Sequence, residues 1–155
     1  MPLALLLHLE SGARTRDTLP RMAQENLMKV RQAWDAWLRG DMDALVEHWD
    51  PEITWSTENM HEWPESRYDG VDGIRRFLDE WLDVWGNYEI EVEEILPAPD
   101  GRVVSLIAHH GKGRQSGVPI DLEMAQIATL QDGKFIRFDN YDDRQEALRA
   151  AGLSA

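Results

Sequence analysis

The stretch Ile120-Asp121-Leu122-Glu123-Met124-Ala125-Gln126-Ile127-Ala128-Thr129-Leu130-Gln131-Asp132-Gly133-Lys134-Phe135-Ile136-Arg137-Phe138-Asp139-Asn140-Tyr141 decides the fold. Two alternating apolar segments flank Asp132-Gly133, the residue pair that tight β-hairpin turns favour. A three-residue loop with Gly133 left-handed would pair Leu130 with Lys134. That register puts Leu122, Met124, Gln126, Ala128, Ile136, Phe138 and Asn140 on one face, with the two amides diagonal to one another. The other face then carries Ala125, Ile127, Phe135 and Tyr141 among charged residues. A two-residue turn would exchange the faces.

Working outward, the chain has 155 residues, which suits one domain with one core. There is no cysteine, so disulfides, thiolate metal sites and cysteine nucleophiles are excluded. A reducing, cytoplasmic setting is compatible with that. Twenty-nine acidic residues against 16 basic ones give a formal net charge of -13, which repels phosphate backbones and anionic lipid surfaces and argues against nucleic-acid and membrane partners. Seven tryptophans are many for this length, and most are expected in the core.

Residues 1–20 read as a flexible tail, with Met22 an alternative start. The following residues, 21–155, form the expected domain. Leu27, Val30, Trp34, Trp37 and Leu38 recur at helical spacing up to Gly40, and Asp41 caps a second short helix carrying Leu45, Val46 and Trp49. Asp50-Pro51 ends it, Ile53, Trp55 and Thr57 alternate as a strand, and Glu58 to Asp69 reads as a loop. Ile74, Phe77, Leu78, Trp81, Leu82 and Trp85 give the strongest helical periodicity in the chain. A strand with outward Glu89, Glu91 and Glu93 follows, then another from Arg102 to Gly111 and a glycine-rich loop from Gly111 to Gly117. Asp143 and Glu146 open a short terminal helix closed by Gly152. The expected class is α+β, with helices on one face of a mostly antiparallel sheet.

Trp37-Leu38-Arg39-Gly40-Asp41-Met42-Asp43-Ala44-Leu45, Tyr68-Asp69-Gly70-Val71-Asp72-Gly73-Ile74, Gly111 to Gly117, and Asp132-Gly133-Lys134 through Tyr141-Asp142-Asp143-Arg144 together resemble the SnoaL-like branch of the nuclear transport factor 2-like superfamily. The resemblance covers about residues 25–152. It implies a curved sheet forming a cone, with N-terminal helices closing an apolar pocket, and a homodimer. It leaves activity open, because that superfamily includes isomerases, cyclases, hydrolases and non-catalytic binders. The ketosteroid isomerase pattern of acids and tyrosine falls here on Thr57, Ala33 and Ala125 or Gln126. The limonene-type epoxide hydrolase pattern falls on Ile107, His109 and a position near Phe138, Asn140 and Tyr141. Neither set of acids is retained.

On the pocket face that this resemblance implies, His109 and Asn140 are the candidate catalytic residues. Trp55, Thr57, Met124, Gln126 and Phe138 are the candidate substrate-binding ones. Histidine is the side chain suited to proton transfer near neutral pH, and an amide can orient a carbonyl or hydroxyl. Periodicity alone leaves His109 unplaced, because Val104, Leu106 and Ala108 make the more apolar face of its strand and would turn it outward. His109 and His110 cannot chelate one metal, since adjacent strand residues point to opposite faces. No metal or cofactor is expected. Two readings stand: a pocket for a small, largely apolar molecule with acid/base isomerase, cyclase or hydrolase-type chemistry, and a non-catalytic binding or dimerisation module. The outer residues Ala125, Ile127, Phe135 and Tyr141 are the expected dimer contact.

Overall fold

A computed structural model describes residues 19–153, so the tail expectation falls almost wholly outside the described residues. Among the described residues the helices are α1 (Arg21–Leu38), α2 (Met42–Val46), α3 (Gly70–Val84) and α4 (Arg144–Ala150). The strands are β1 (Trp49–Asn59), β2 (Arg67–Asp69), β3 (Trp85–Pro97), β4 (Val103–Gly113), β5 (Pro119–Gln131) and β6 (Lys134–Tyr141). They form one curved, unclosed sheet in the order β2-β1-β6-β5-β4-β3. All pairings are antiparallel except that of β1 with β6. The α+β class with a mostly antiparallel sheet is therefore observed.

Local signals placed most elements. Gly40, at φ +76°, ends the turn after α1, and the Asp41 side chain accepts from the Ala44 N–H to start α2. The Asp143 carboxylate accepts from the N–H groups of Gln145 and Glu146 at the head of α4, and Gly152 follows its end at φ +78°. Three expectations move. Trp49 opens β1 instead of closing α2, and Pro51 sits inside that strand. The loop from Glu58 to Asp69 contains β2, which pairs with Thr54, Trp55 and Ser56. Finally, β4 continues through Gly111 to Gly113.

The central hairpin also differs from the expected register. Asp132 and Gly133 form a two-residue turn with φ of +52° and +78°, joining Gln131 to Lys134. A bulge between Thr129 and Leu130 then leaves Ile136 without a partner and restores the even-numbered alignment. The faces therefore match those of the three-residue loop, while the pairing is displaced and Gln126 lies directly opposite Asn140. Phe135 is the exception. Lying on the turn side of the bulge, it faces the main core and stacks on Phe138 with ring centroids 5.2 Å apart.

Helices α1 to α3 cover the concave face of the sheet. Asn26 donates to the Gly101 carbonyl and the Trp34 indole to Ser105 Oγ at 2.8 Å, which fixes α1 across β4 and the β3–β4 turn. On the other face α4 covers a smaller core of Ala98, Val104, Ala125, Ile127, Ala147 and Ala151. This corrects the expected dimer contact: Ala125, Ile127 and Phe135 are 1 %, 0 % and 1 % exposed within the single chain. Glu89 and Glu91 are exposed as expected, but a bulge beside Glu93 brings its carboxylate to Arg144.

Gly111 is required where β4 passes the α3–β3 junction. A Cβ there would meet the Asn87 carbonyl oxygen at 1.8 Å and the Trp85 ring at 2.9 Å, whereas one on Gly113 would meet only the Ser116 hydroxyl at 2.5 Å. A backbone carbonyl cannot step aside as a serine side chain can. Gly111→Ala is therefore expected to cost about 3 kcal/mol or more and Gly113→Ala under about 1 kcal/mol, measured by urea unfolding.

Candidate functional site

Between the three helices and the sheet lies a cavity of about 100 Å³. Its walls are Val30, Ala33, Trp34 and Trp37 of α1, Leu45 of α2, and Phe77, Leu78 and Trp81 of α3. From the sheet come Trp49, Trp55, Tyr88, Ile90, Ile107, His109, Met124, Ala125, Gln126, Phe135, Phe138 and Asn140, with Met60 just after β1. The aromatic wall is continuous: Phe138 packs on Trp55 at 5.4 Å and Trp49 at 6.2 Å, and Trp55 packs on Phe77, which stacks on Trp81. Among the described lining residues there is no carboxylate, lysine or arginine.

His109, Asn140, Trp55, Met124, Gln126 and Phe138 are brought together on this wall. Thr57 is not. It is buried, and its hydroxyl donates to the Glu65 carbonyl, tying β1 to the following loop. The sequence reading missed Trp49, Trp81 and Tyr88. Trp81 meets the histidine ring edge-on, Trp85 packs beside it and Tyr88 both stacks on it and hydrogen-bonds to it, and no local signal links Tyr88 to a residue 21 positions away.

The histidine lies inside because both faces of β4 are buried: Val104 and Ala108 meet the far side of the sheet, while Val103, Ser105, Ile107 and His109 face the helices. Its ring stacks on Tyr88, and its Nδ1 lies 2.6 Å from the Tyr88 hydroxyl. Trp81 Nε1–H donates to the same phenol oxygen at 3.2 Å. The phenol has one proton, and giving it to His109 Nδ1 satisfies all three groups. Nδ1 is then the acceptor and Nε2 carries the hydrogen. Burial pushes the imidazole pKa down to about 4, with the charges of His110 and Arg144 acting in the same direction. Burial likewise pushes Tyr88 up to about 12, so this phenol stays protonated. Nε2 has no hydrogen-bond partner among the described residues, and His109 is a neutral N–H donor at the cavity wall.

The two amides are mostly committed elsewhere. The Ser56 carbonyl can only accept, so Asn140 turns Nδ2 toward it at 3.1 Å; Asn140 Oδ1 in turn accepts from Gln126 Nε2 at 3.0 Å. Gln126 Oε1 is left without a partner among the described residues. Asn140 thus joins β6 to β1 and β5, and its first role is to hold three strands in register.

Protonating His109 in the fold is disfavoured relative to the unfolded chain, where it titrates near 6.5. Between pH 6.5 and about 4 the unfolded state binds more protons, so stability falls as pH falls. His109 accounts for about 3 kcal/mol of that loss. Urea unfolding across this range should show a steeper fall for the wild type than for His109→Gln. Equal slopes would contradict this placement of the neutral imidazole.

Away from the cavity, His61, Asp142 and Glu146 place one ligand-type atom each within 4.8 Å of one another. They lie at the surface, with the His61 side chain 60 % exposed, and pair with one another.

The SnoaL-like domain model matches residues 30–138. No curated protein matches the chain. Among solved structures, Bal32a from a soil-derived mobile gene cassette superposes with a TM-score of 0.67 at 20 % identity, covering 78 % of this chain and 91 % of its own. An NTF2-like protein from Burkholderia thailandensis gives 0.67 at 23 % identity, covering 81 % and 95 %. TerC, crystallised with polyporic acid, gives 0.64 at 21 % identity, covering 82 % and 97 %. At such identities these structures establish the fold, and with the domain match they settle the family: this chain belongs to the SnoaL-like family, within the nuclear transport factor 2-like fold.

Proposed function

We propose that the protein binds a small, largely apolar molecule in the cavity, with a carbonyl oxygen of that molecule accepting from His109 Nε2–H. The observation that carries this reading is a buried, neutral imidazole whose free N–H meets an otherwise aromatic wall. Aromatic walls with few oriented polar groups are the usual composition of small-molecule sites. TerC, a structural relative, was crystallised with polyporic acid, which supports a small-molecule reading for this chain.

The same geometry limits the chemistry. A neutral imidazole that donates through Nε2 can polarise a carbonyl, as isomerase- or cyclase-type reactions require. It cannot also abstract a proton there, because Nε2 is already protonated and Nδ1 is occupied by Tyr88. With no carboxylate among the described lining residues, binding is the reading favoured over turnover, and any catalytic step would take its base from the ligand or solvent. We place the protein in the cytoplasm on the same footing; among the described residues no helix is long and apolar enough to cross a membrane.

A homodimer belongs to this proposal. The support for it is that Leu96, Leu106, Tyr141 and Leu148 remain only partly buried around the α4 side of the sheet. Light scattering at micromolar concentration should give about twice the chain mass; a value near 17.9 kDa would remove the dimer.

Binding is tested with cyclohexanone, a compact neutral ketone, followed by NMR. Shifts are expected at residues lining the cavity, and His109→Leu should weaken binding about fivefold, the loss of one neutral hydrogen bond. His109→Gln, which keeps an N–H donor, should retain most of it. Titration that leaves the lining residues unmoved would refute the reading. Asn140→Leu is expected to cost the fold about 2 kcal/mol, because it leaves the Ser56 carbonyl and the Gln126 amide buried and unpaired. Denaturation therefore has to accompany the binding assay for that variant.

A further inference from the structure

One polar chain of the fold takes its direction from a backbone carbonyl. The Ser56 carbonyl can only accept, so Asn140 presents Nδ2 to it at 3.1 Å and keeps Oδ1 for Gln126. Gln126 must then turn Nε2 to Asn140 at 3.0 Å, because the reversed amide would set two oxygens against each other. Gln126 Oε1 is thereby fixed as the free end of the chain. It has no partner among the described residues, yet it is not sealed. Of the unpartnered side-chain nitrogens and oxygens in described residues that are not solvent-exposed, only the indole nitrogens of Trp49, Trp55 and Trp85 are closed in by surrounding atoms. Open space therefore lies against Oε1, as it does against His109 Nε2. Strand β5 runs between β4 and β6, where Gln126 is flanked by Ser105 and Asn140, so that space opens on the face that the helices cover. Gln126 is one of the residues lining the cavity there.

We infer that Gln126 Oε1 is the acceptor that selects a second polar group of the ligand, a neutral O–H or N–H donor. This rests on the reading of the cavity as a carbonyl-binding site and extends it. His109 faces Leu122 across the ladder, and Gln126 lies four residues further along β5, roughly 13 Å. The two groups therefore meet different ends of a ligand. One donates through an imidazole N–H and the other accepts through an amide oxygen, so the cavity reads its occupant in one direction, carbonyl toward His109 and donor toward Gln126. A second carbonyl at the Gln126 end would place two acceptors together. A carboxylate would do the same, with no lysine or arginine among the described lining residues to offset its charge. The ligand class is a compact apolar skeleton with a carbonyl at one end and a hydroxyl or N–H at the other.

The test compares 4-(hydroxymethyl)cyclohexanone with 4-ethylcyclohexanone, which differ only by a hydroxyl in place of a methyl group at the far end. Water favours the alcohol, so burial against apolar walls alone predicts weaker binding for it. The inference predicts the reverse, by about fivefold, the worth of one neutral hydrogen bond. The alcohol, and not the ethyl ketone, should also move the side-chain carbonyl carbon resonance of Gln126 downfield. Gln126→Met keeps the length of the side chain and removes the acceptor, so it should erase the preference while both ketones still bind. His109→Leu should weaken both alike. Should Gln126→Met fail to fold, the resonance of the unaltered protein still decides. Equal or weaker binding of the alcohol, or an unmoved Gln126 resonance, would overturn the selection while leaving the cavity reading intact. Failure of both ketones to bind would overturn both.

Discussion

Side chains alternate along a β-ladder, so one extra residue exchanges the two faces of a strand, and the β5–β6 hairpin uses this exchange twice. The tight Asp132-Gly133 turn shifts the faces one way, and the bulge opposite Thr129 and Leu130 shifts them back. Between the two shifts Phe135 is turned inward; beyond them Phe138 and Asn140 are inward as well. The stack of Phe135 on Phe138, three residues apart in one strand, exists only because of the bulge. Without it, the aromatic wall, the amide bridge and the packing of β1 beside β6 would not share one side of the sheet.

That side has more apolar surface than its helices fill. Helix α1 is fixed by Asn26 and Trp34, and α3 by rings running from Phe77 to Trp81. Rigid rings held at these angles cannot collapse into the remaining space, which keeps the cavity open. Most of the polar groups there are tied into two hydrogen-bonded chains. Ser56, Asn140 and Gln126 satisfy one another across three strands, and Trp81, Tyr88 and His109 form a second chain. Among the described residues, His109 Nε2 and Gln126 Oε1 are left without a hydrogen-bond partner at the cavity wall, and the Trp49 and Trp55 indole N–H groups are closed in without one. No carboxylate, lysine or arginine is among the described lining residues, even though the chain as a whole carries a formal net charge of -13.

Charge is managed on the outside of the sheet. Glu89, Glu91, His110 and Asp121 lie along β3 to β5, and Asp121 together with neighbouring glutamates raises the pKa of His110. Arg144 crosses this face, donating to the carbonyls of Ile107 and Met124 and pairing with Glu93. The two adjacent histidines of β4 thus titrate in opposite directions because they occupy opposite faces: His110 is exposed among carboxylates, and His109 is enclosed by rings.

The sequence by itself determined the helices, the hairpin and the membership of Phe138, Gln126 and Asn140 in one wall. These follow from short-range facts: the 3.6 and 2.0 periods, Asp41 and Asp143 as caps, and the Asp-Gly turn. It also determined that the acids of two related enzyme patterns are missing. The tertiary structure decided the rest. Strand β4 is buried on both faces, so its alternation carried no direction for His109, and the packing of Tyr88, 21 residues away, supplied it. Thr57 left the wall because a loop carbonyl captured its hydroxyl, and Asn140 became a clamp because the Ser56 carbonyl, 84 residues earlier, needed a donor. Trp49 and Trp55 could be read as core aromatics from their sequence alone. Whether their indoles had partners depended on which hydroxyls the fold carried to them, and that is a property of contacts between distant strands and helices, not of any local stretch.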